Sequence, residues 1–151
     1  MTEPTNAYRG RCYCGNVSFL VDTEIDLKQF SPRACDCSFC EKHAAAYFSD
    51  PDGALEIDVR RRDSLAHLKI GSGIADFLVC RDCGVLVGAT VELDGNLHGT
   101  INSRIFDAGI QFNSIVSVSP KLLSDEEKKA RWKSAWFTNV VLFDEQFETG
   151  E

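Results

Sequence analysis

Nowhere does the sequence carry the roughly 18 consecutive apolar residues that a membrane-spanning helix requires. Its opening, MTEPTNAYRG, lacks both the basic start and the apolar run of a secretory signal, so a cytoplasmic location without membrane partners is expected. Positive charge is thin as well. Against 23 Asp and Glu stand 16 Lys and Arg, for a formal net charge of -7. Only Arg60, Arg61 and Arg62 gather three cations in a row, and that triplet reads as a solvated turn. Without a clustered basic surface, a nucleic-acid partner is not expected. Repeats, linkers and low-complexity segments are also missing. The 151 residues are therefore expected to form one domain, 1–151, long enough to bury most of its apolar surface.

What the sequence does have is seven cysteines, an odd number in a chain with no export signal. Disulfides need an oxidising compartment, so metal ligation or redox chemistry has to account for them. They fall as Cys12 and Cys14 in CYCG, Cys35, Cys37 and Cys40 in CDCSFC, and Cys80 and Cys83 in CRDCG. Two of the three groups end in Cys-Gly. A cysteine pair closing on one metal needs a tight turn, and glycine tolerates the positive φ that lets backbone N–H groups approach sulfur. The two outer pairs are thus expected to be halves of one four-sulfur site, although Cys14 and Cys80 are 66 residues apart. A closed tetrathiolate points to structural zinc, whose binding energy is folding energy.

The central triplet then stands alone with three ligands, and there is no eighth cysteine. His43, three residues past Cys40, is a conceivable fourth ligand, though a surface or supporting position is the plainer reading. His67 and His98 read as strand side chains without a chemical role. Three protein ligands with one open position are the mark of a catalytic zinc. Three thiolates favour a soft fourth ligand, so the fitting chemistry is capture and deprotonation of a thiol that then adds to a carbonyl carbon. Asp36, between two ligands, reads as a turn carboxylate, with a supporting role near the metal as the alternative. Arg33 or Lys42 could attract a carboxylate of the thiol, or be plain surface charges.

Short β-prone runs separated by PDG, GSG and DG describe a mainly β meander rather than βαβ units. Val17, Phe19 and Val21 alternate as a strand following a Cys-rich turn, and DLKQFSPRA reads as irregular. KIGSG is a hairpin turn, lacking what a phosphate loop needs. The sequence predicts one helix, in SDEEKKARWKSAWF, where Ser124 and Glu127 have capping-box spacing. Trp132 and Trp136 share one face of it. They are expected to pack on the sheet, a substrate-facing aromatic wall being the functional alternative. The run NVVLFDEQF returns to strand character.

GRCYCG, CDCSFCEK and CRDCG, in this order and at these separations, resemble the glutathione-dependent formaldehyde-activating enzyme (GFA) family over roughly Tyr8 to Thr100. The resemblance implies a zinc-stabilised β-tent fold of short antiparallel strands with one short C-terminal helix. It implies two Zn²⁺ per chain, a structural one on Cys12, Cys14, Cys80 and Cys83 and a catalytic one on Cys35, Cys37 and Cys40. The implied activity is that of a carbon–sulfur lyase handling a small thiol such as glutathione and a small aldehyde such as formaldehyde. No glutathione-binding residue follows from it. A non-catalytic zinc-binding protein-interaction module is the alternative, and iron–sulfur electron transfer a weaker third reading.

Overall fold

The computed structural model describes residues 6–143. Along the chain run β1 (Ala7–Arg11), β2 (Val17–Asp22), β3 (Arg33–Cys35), α1 (Ser38–His43), β4 (Tyr47–Phe48), β5 (Ala54–Val59) and β6 (Leu65–Lys69). There follow β7 (Asp76–Cys80), β8 (Leu86–Leu93), β9 (Asn96–Asn102), β10 (Val116–Val118), α2 (Asp125–Ala135) and β11 (Asn139–Phe143). No helix among the described residues is long and apolar enough to cross a membrane.

The strands form two sheets, a four-stranded one in the order β1-β2-β5-β11 and a seven-stranded one in the order β10-β3-β4-β9-β8-β7-β6. The expected mainly β architecture is therefore what the chain adopts, with α2 as its main helix. Alternation explains the layering: in β2 and β5 the inward positions Val17, Phe19, Val21, Leu55, Ile57 and Val59 are all but fully buried. They meet Phe48, Val87 and Ile101 from the larger sheet in one core. Phe48 sits at its centre, with edge-on rings from Phe106 and Phe137 at 6.0 and 5.8 Å.

Three details depart from the sequence expectation. The chain is not a pure meander, because β10 pairs parallel with β3 and β11 pairs parallel with β5. A parallel partner must arrive from far along the chain, and no local turn signal announces it. The irregular stretch before Cys35 contains a 3₁₀ turn at Leu27–Gln29, capped by Asp26, and then β3. Finally, α1 is a second helix, too short to show periodicity and stabilised by Cys37 as its N-cap, whose sulfur accepts from the Cys40 N–H. The anticipated α2 has its capping box formed in both directions between Ser124 and Glu127. The end of NVVLFDEQF beyond Phe143 lies outside the described residues.

The seven-stranded sheet turns one face to the core and the other to α1 and α2. Register decides which residues share that second face: Val118 lies beside Cys35, Arg33 beside Tyr47, and Thr100 beside Ala89, itself beside Phe77. This row becomes a wall of the site.

Candidate metal centres

Cys12 and Cys14 lie in the turn from β1 to β2; Cys80 ends β7, and Cys83 lies in the turn that leads into β8. The two turns approach each other, and all four sulfurs fall within 4.8 Å of one another. Cys14 Sγ stands 3.7 Å from both Cys12 Sγ and Cys80 Sγ. Thiolates about 2.3 Å from a tetrahedral zinc are about 3.8 Å apart, so the donor set and its spacing fit that metal. Gly15 and Gly84 have φ of +83° and +80°, the conformation expected of the Cys-Gly turns. Behind each turn a backbone donor closes the loop, Gly15 N–H to Cys12 O at 3.2 Å and Gly84 N–H to Cys80 O at 2.8 Å.

Buried Asn16, which sequence reasoning missed, ties the site to the β5–β6 turn. Its Oδ1 accepts from the Arg61 N–H at 3.0 Å, and its Nδ2 donates to Ser64 Oγ and points at Cys80 Sγ, 3.9 Å away. The Val17 N–H donates to Cys12 Sγ at 3.3 Å. Burial holds the Cys12 thiol up to about 12, while at Cys83 a burial penalty is outweighed by backbone N–H groups of Cys14 and Val85, leaving it at about 7. The Arg60–Arg62 turn packs beside this site, with Arg61 paired to Asp82.

The central cysteines come from one short segment: Cys35 ends β3, Cys37 caps α1 and Cys40 lies within it, and their sulfurs also fall within 4.8 Å. Among the described residues no fourth metal-binding side chain joins them. His43 instead lies against the Phe39 ring, 4.7 Å between centroids. His67 sits beside Asp76 on the paired strand, and buried His98 has Nδ1 at 3.1 Å from Asn96 O, both on strands as expected. The Cys40 thiol's hydrogen bond holds Cys35 down at about 6, and the same bond with burial pushes Cys40 far up. Tyr47 places its hydroxyl 3.3 Å from Cys40 Sγ. Burial and then the neighbouring Cys40 charge raise the phenol, so the hydroxyl keeps its proton and is able to donate to a Cys40 thiolate. Nothing in the sequence around Tyr47 announces this contact, which depends on the turn after α1.

Asp36 is not the solvated carboxylate of the sequence reading. Its Oδ2 accepts from Ser119 Oγ at 2.5 Å, its Oδ1 is buried, and its backbone N–H donates to Val118 O at 3.0 Å. Pairing with β10 turns this carboxylate inward and braces the ligand loop. Lys42 is exposed on α1 and is not among the residues lining the cavity beside the cysteines.

The three sulfurs open onto a cavity of about 140 Å³ between the sheet face and α2. Tyr47, Phe77, Ala89 and Val118 wall it from the sheet, and Trp132 and Trp136 from α2. The two indoles line the cavity, and buried Trp132 also packs on Ala75, Val91 and Leu93, as expected of a residue lying on the sheet. Ile70, Gly71 and Ser72 of the KIGSG turn close one side. Arg33 lines the cavity, half-buried, with Nη2 on Ser49 Oγ and its guanidinium over the Phe30 ring at 5.5 Å. Ser49 in turn donates to Ala135 O at 2.7 Å, linking the arginine to the end of α2. Burial, with the nearby Arg131 charge, lowers Arg33 to about 10, and it remains a cation at neutral pH.

No curated protein matches the chain. Among solved structures, the crystal structure of a Rhodobacter sphaeroides protein, a structural genomics target, aligns with a TM-score of 0.50. The two share 24% identity over 70% of this chain and 99% of that one, a likeness of fold. The sequence profile described as glutathione-dependent formaldehyde-activating enzyme matches residues 7–118, which include all seven cysteines and both turns that gather the outer four. The chain belongs to the glutathione-dependent formaldehyde-activating enzyme family.

Proposed function

We propose that the protein is a zinc-dependent enzyme of carbon–sulfur chemistry, joining a small thiol such as glutathione to a small aldehyde such as formaldehyde. One observation carries this reading: three convergent cysteine sulfurs face a cavity, with no fourth protein ligand among the described residues. Cys12, Cys14, Cys80 and Cys83 would hold a structural zinc, and Cys35, Cys37 and Cys40 the catalytic one. Zinc bound at the central site would lower the pKa of a thiol taking its open position and hold the resulting thiolate.

The chain's own residues then do the positioning. Tyr47 donates to Cys40 and so fixes that ligand's charge and direction. Asp36, held by Ser119, keeps the Cys35–Cys37 turn in shape. The cavity walls exclude water and confine the carbonyl compound next to the sulfur, turning an encounter into an oriented reaction. In the net addition the sulfur forms a bond to the carbonyl carbon, and the carbonyl oxygen takes up a proton in place of the one the thiol lost. No oxidant or reductant is required.

The test is spectroscopic. With cobalt in the central site, the ligand-field spectrum should change when glutathione is added and not when S-methylglutathione is added. In parallel, NMR exchange should show faster interconversion of formaldehyde, glutathione and their adduct. A central metal indifferent to glutathione and to other small thiols would overturn the reading and leave a zinc-binding interaction module.

A further inference from the structure

The cavity is larger and more apolar than a one-carbon aldehyde needs. A cavity of roughly 150 Å³ lined by apolar side chains takes up benzene, and a water molecule's share of liquid is about 30 Å³. The 140 Å³ beside Cys35, Cys37 and Cys40 is therefore the size of a six-membered ring. Its walls match such a body: Trp132 and Trp136 lie 5.1 Å apart at 30°, and Phe77 faces them from the sheet. Formaldehyde alone would leave most of that volume unused.

Charge adds a second, independent constraint. In a chain of net charge -7, the charged side chains lining the cavity are Arg33, Lys121, Lys128 and Arg131, and no acidic residue lines it. None of these four is in an ion pair among the described residues, although Lys69, Lys129 and Lys133 elsewhere all find carboxylates. Half-buried Arg33 and Arg131 lie close enough to repel each other. Holding two such cations partly buried with no carboxylate beside them is costly. An anion entering with the ligand relieves that cost, and guanidinium groups suit a carboxylate in particular.

We propose that the carbonyl partner of this site is an aldehyde with an apolar body about the size of one ring and a carboxylate, the ring held by Trp132, Trp136 and Phe77 and the carboxylate by Arg33 and Arg131. The proposal rests on the reading that this cavity serves the central cysteines. The carbon accepting sulfur must reach the cysteines, while the carboxylate meets Arg33, which shares β3 with Cys35, and Arg131 on α2. The addition balances as before: one C–S bond forms, the carbonyl π pair moves to oxygen, and that oxygen gains the proton released by the thiol.

Binding is tested first with 4-(hydroxymethyl)benzoate, which has the ring and the charge but no reactive carbonyl, on zinc-loaded protein without thiol. The chain has two tryptophans, so two indole N–H signals in ¹H–¹⁵N spectra report on this cavity directly. Both should shift saturably, and neutral 4-methylbenzyl alcohol should bind about tenfold more weakly or worse, the loss expected when one charge-assisted hydrogen bond is missing. Arg131→Gln, on the half-exposed face of α2, should erase most of that difference; Arg33→Gln should do so too, if it folds. With glutathione present, 4-formylbenzoate should exchange into its adduct faster than 4-methylbenzaldehyde in the wild-type protein alone. Equal affinity for charged and neutral probes, unmoved indoles, or an Arg131→Gln variant that loses affinity for glutathione but not for the carboxylate would each overturn the proposal. Because the binding arm contains no thiol, its failure leaves the cobalt result on glutathione standing, and failure of the cobalt result leaves the carboxylate site standing as a binding site.

Discussion

Single contacts decide how well the sulfurs are held. Tyr47 has one polar neighbour of consequence, Cys40 Sγ, and its ring stays packed if the hydroxyl is removed. Tyr47→Phe is expected to fold normally yet bind the central metal about tenfold to a hundredfold more weakly, the usual effect of losing such a partner. Competition with a chromophoric chelator measures this. Asn16 presents the opposite case. Its side chain serves Arg61 N–H and Ser64 and does not line the cavity beside the central cysteines, so Asn16→Ala should cost stability rather than activity. Leaving those buried partners unsatisfied costs about 1–3 kcal/mol, readable in a urea titration. Neither residue was marked by a motif. Their importance comes from what lies opposite them, which spacing along the chain does not encode.

At the level of elements, the cysteine groups and α2 were legible in the sequence because each carries its signal locally. Glycines following Cys14 and Cys83 forced the tight turns, and Ser124 with Glu127 marked the start of α2. What stayed hidden were β10, the pairing of β11 (itself expected as a strand) and α1. The first two are placed by parallel partners far away in sequence, and α1 has only six residues. Hence Asp36 looked solvated: only the arrival of β10 brings Ser119 and Val118 beside it. The cap of α2 offers a graded test. Ser124→Ala should cost about 1 kcal/mol, which for a chain of this size lowers Tm by about 2–4 °C. Since α2 supplies Trp132, Trp136 and Arg131, the same variant should raise KM for the carbonyl partner more than it lowers kcat, as steady-state NMR assays can show.

Considered as a whole, the molecule has two sheets whose outer cysteines converge, so that a metal held there would join them. Cys12 and Cys14 belong to the edge of the four-stranded sheet, Cys80 and Cys83 to the seven-stranded one. Cys80→Ser is therefore expected to abolish soluble, cooperatively melting protein, whereas Cys40→Ser should keep the fold and lose only the central metal. Circular dichroism melts with elemental analysis separate the two; equal collapse would make the central metal structural too. Acid should act in the same order as the ligands are reprotonated, with metal release and loss of the near-UV signal coinciding for the outer site.

The cavity wall has a further consequence for how such a chain diversifies. Every cysteine lies within the stretch 7–118 that marks the family, while Lys121, Lys128, Arg131, Trp132 and Trp136 all come after it. On the proposed reading, the cysteines share one passage with part of the cavity wall, Arg33 and Phe77 included, and the rest of the wall is written in the passage that follows. On that reading, changing the second passage while keeping the first should alter the choice of aldehyde without disturbing the cysteines. A chimera that keeps residues 7–118 and borrows another member's segment up to β11 should retain its metals and acquire the donor's taste in aldehydes.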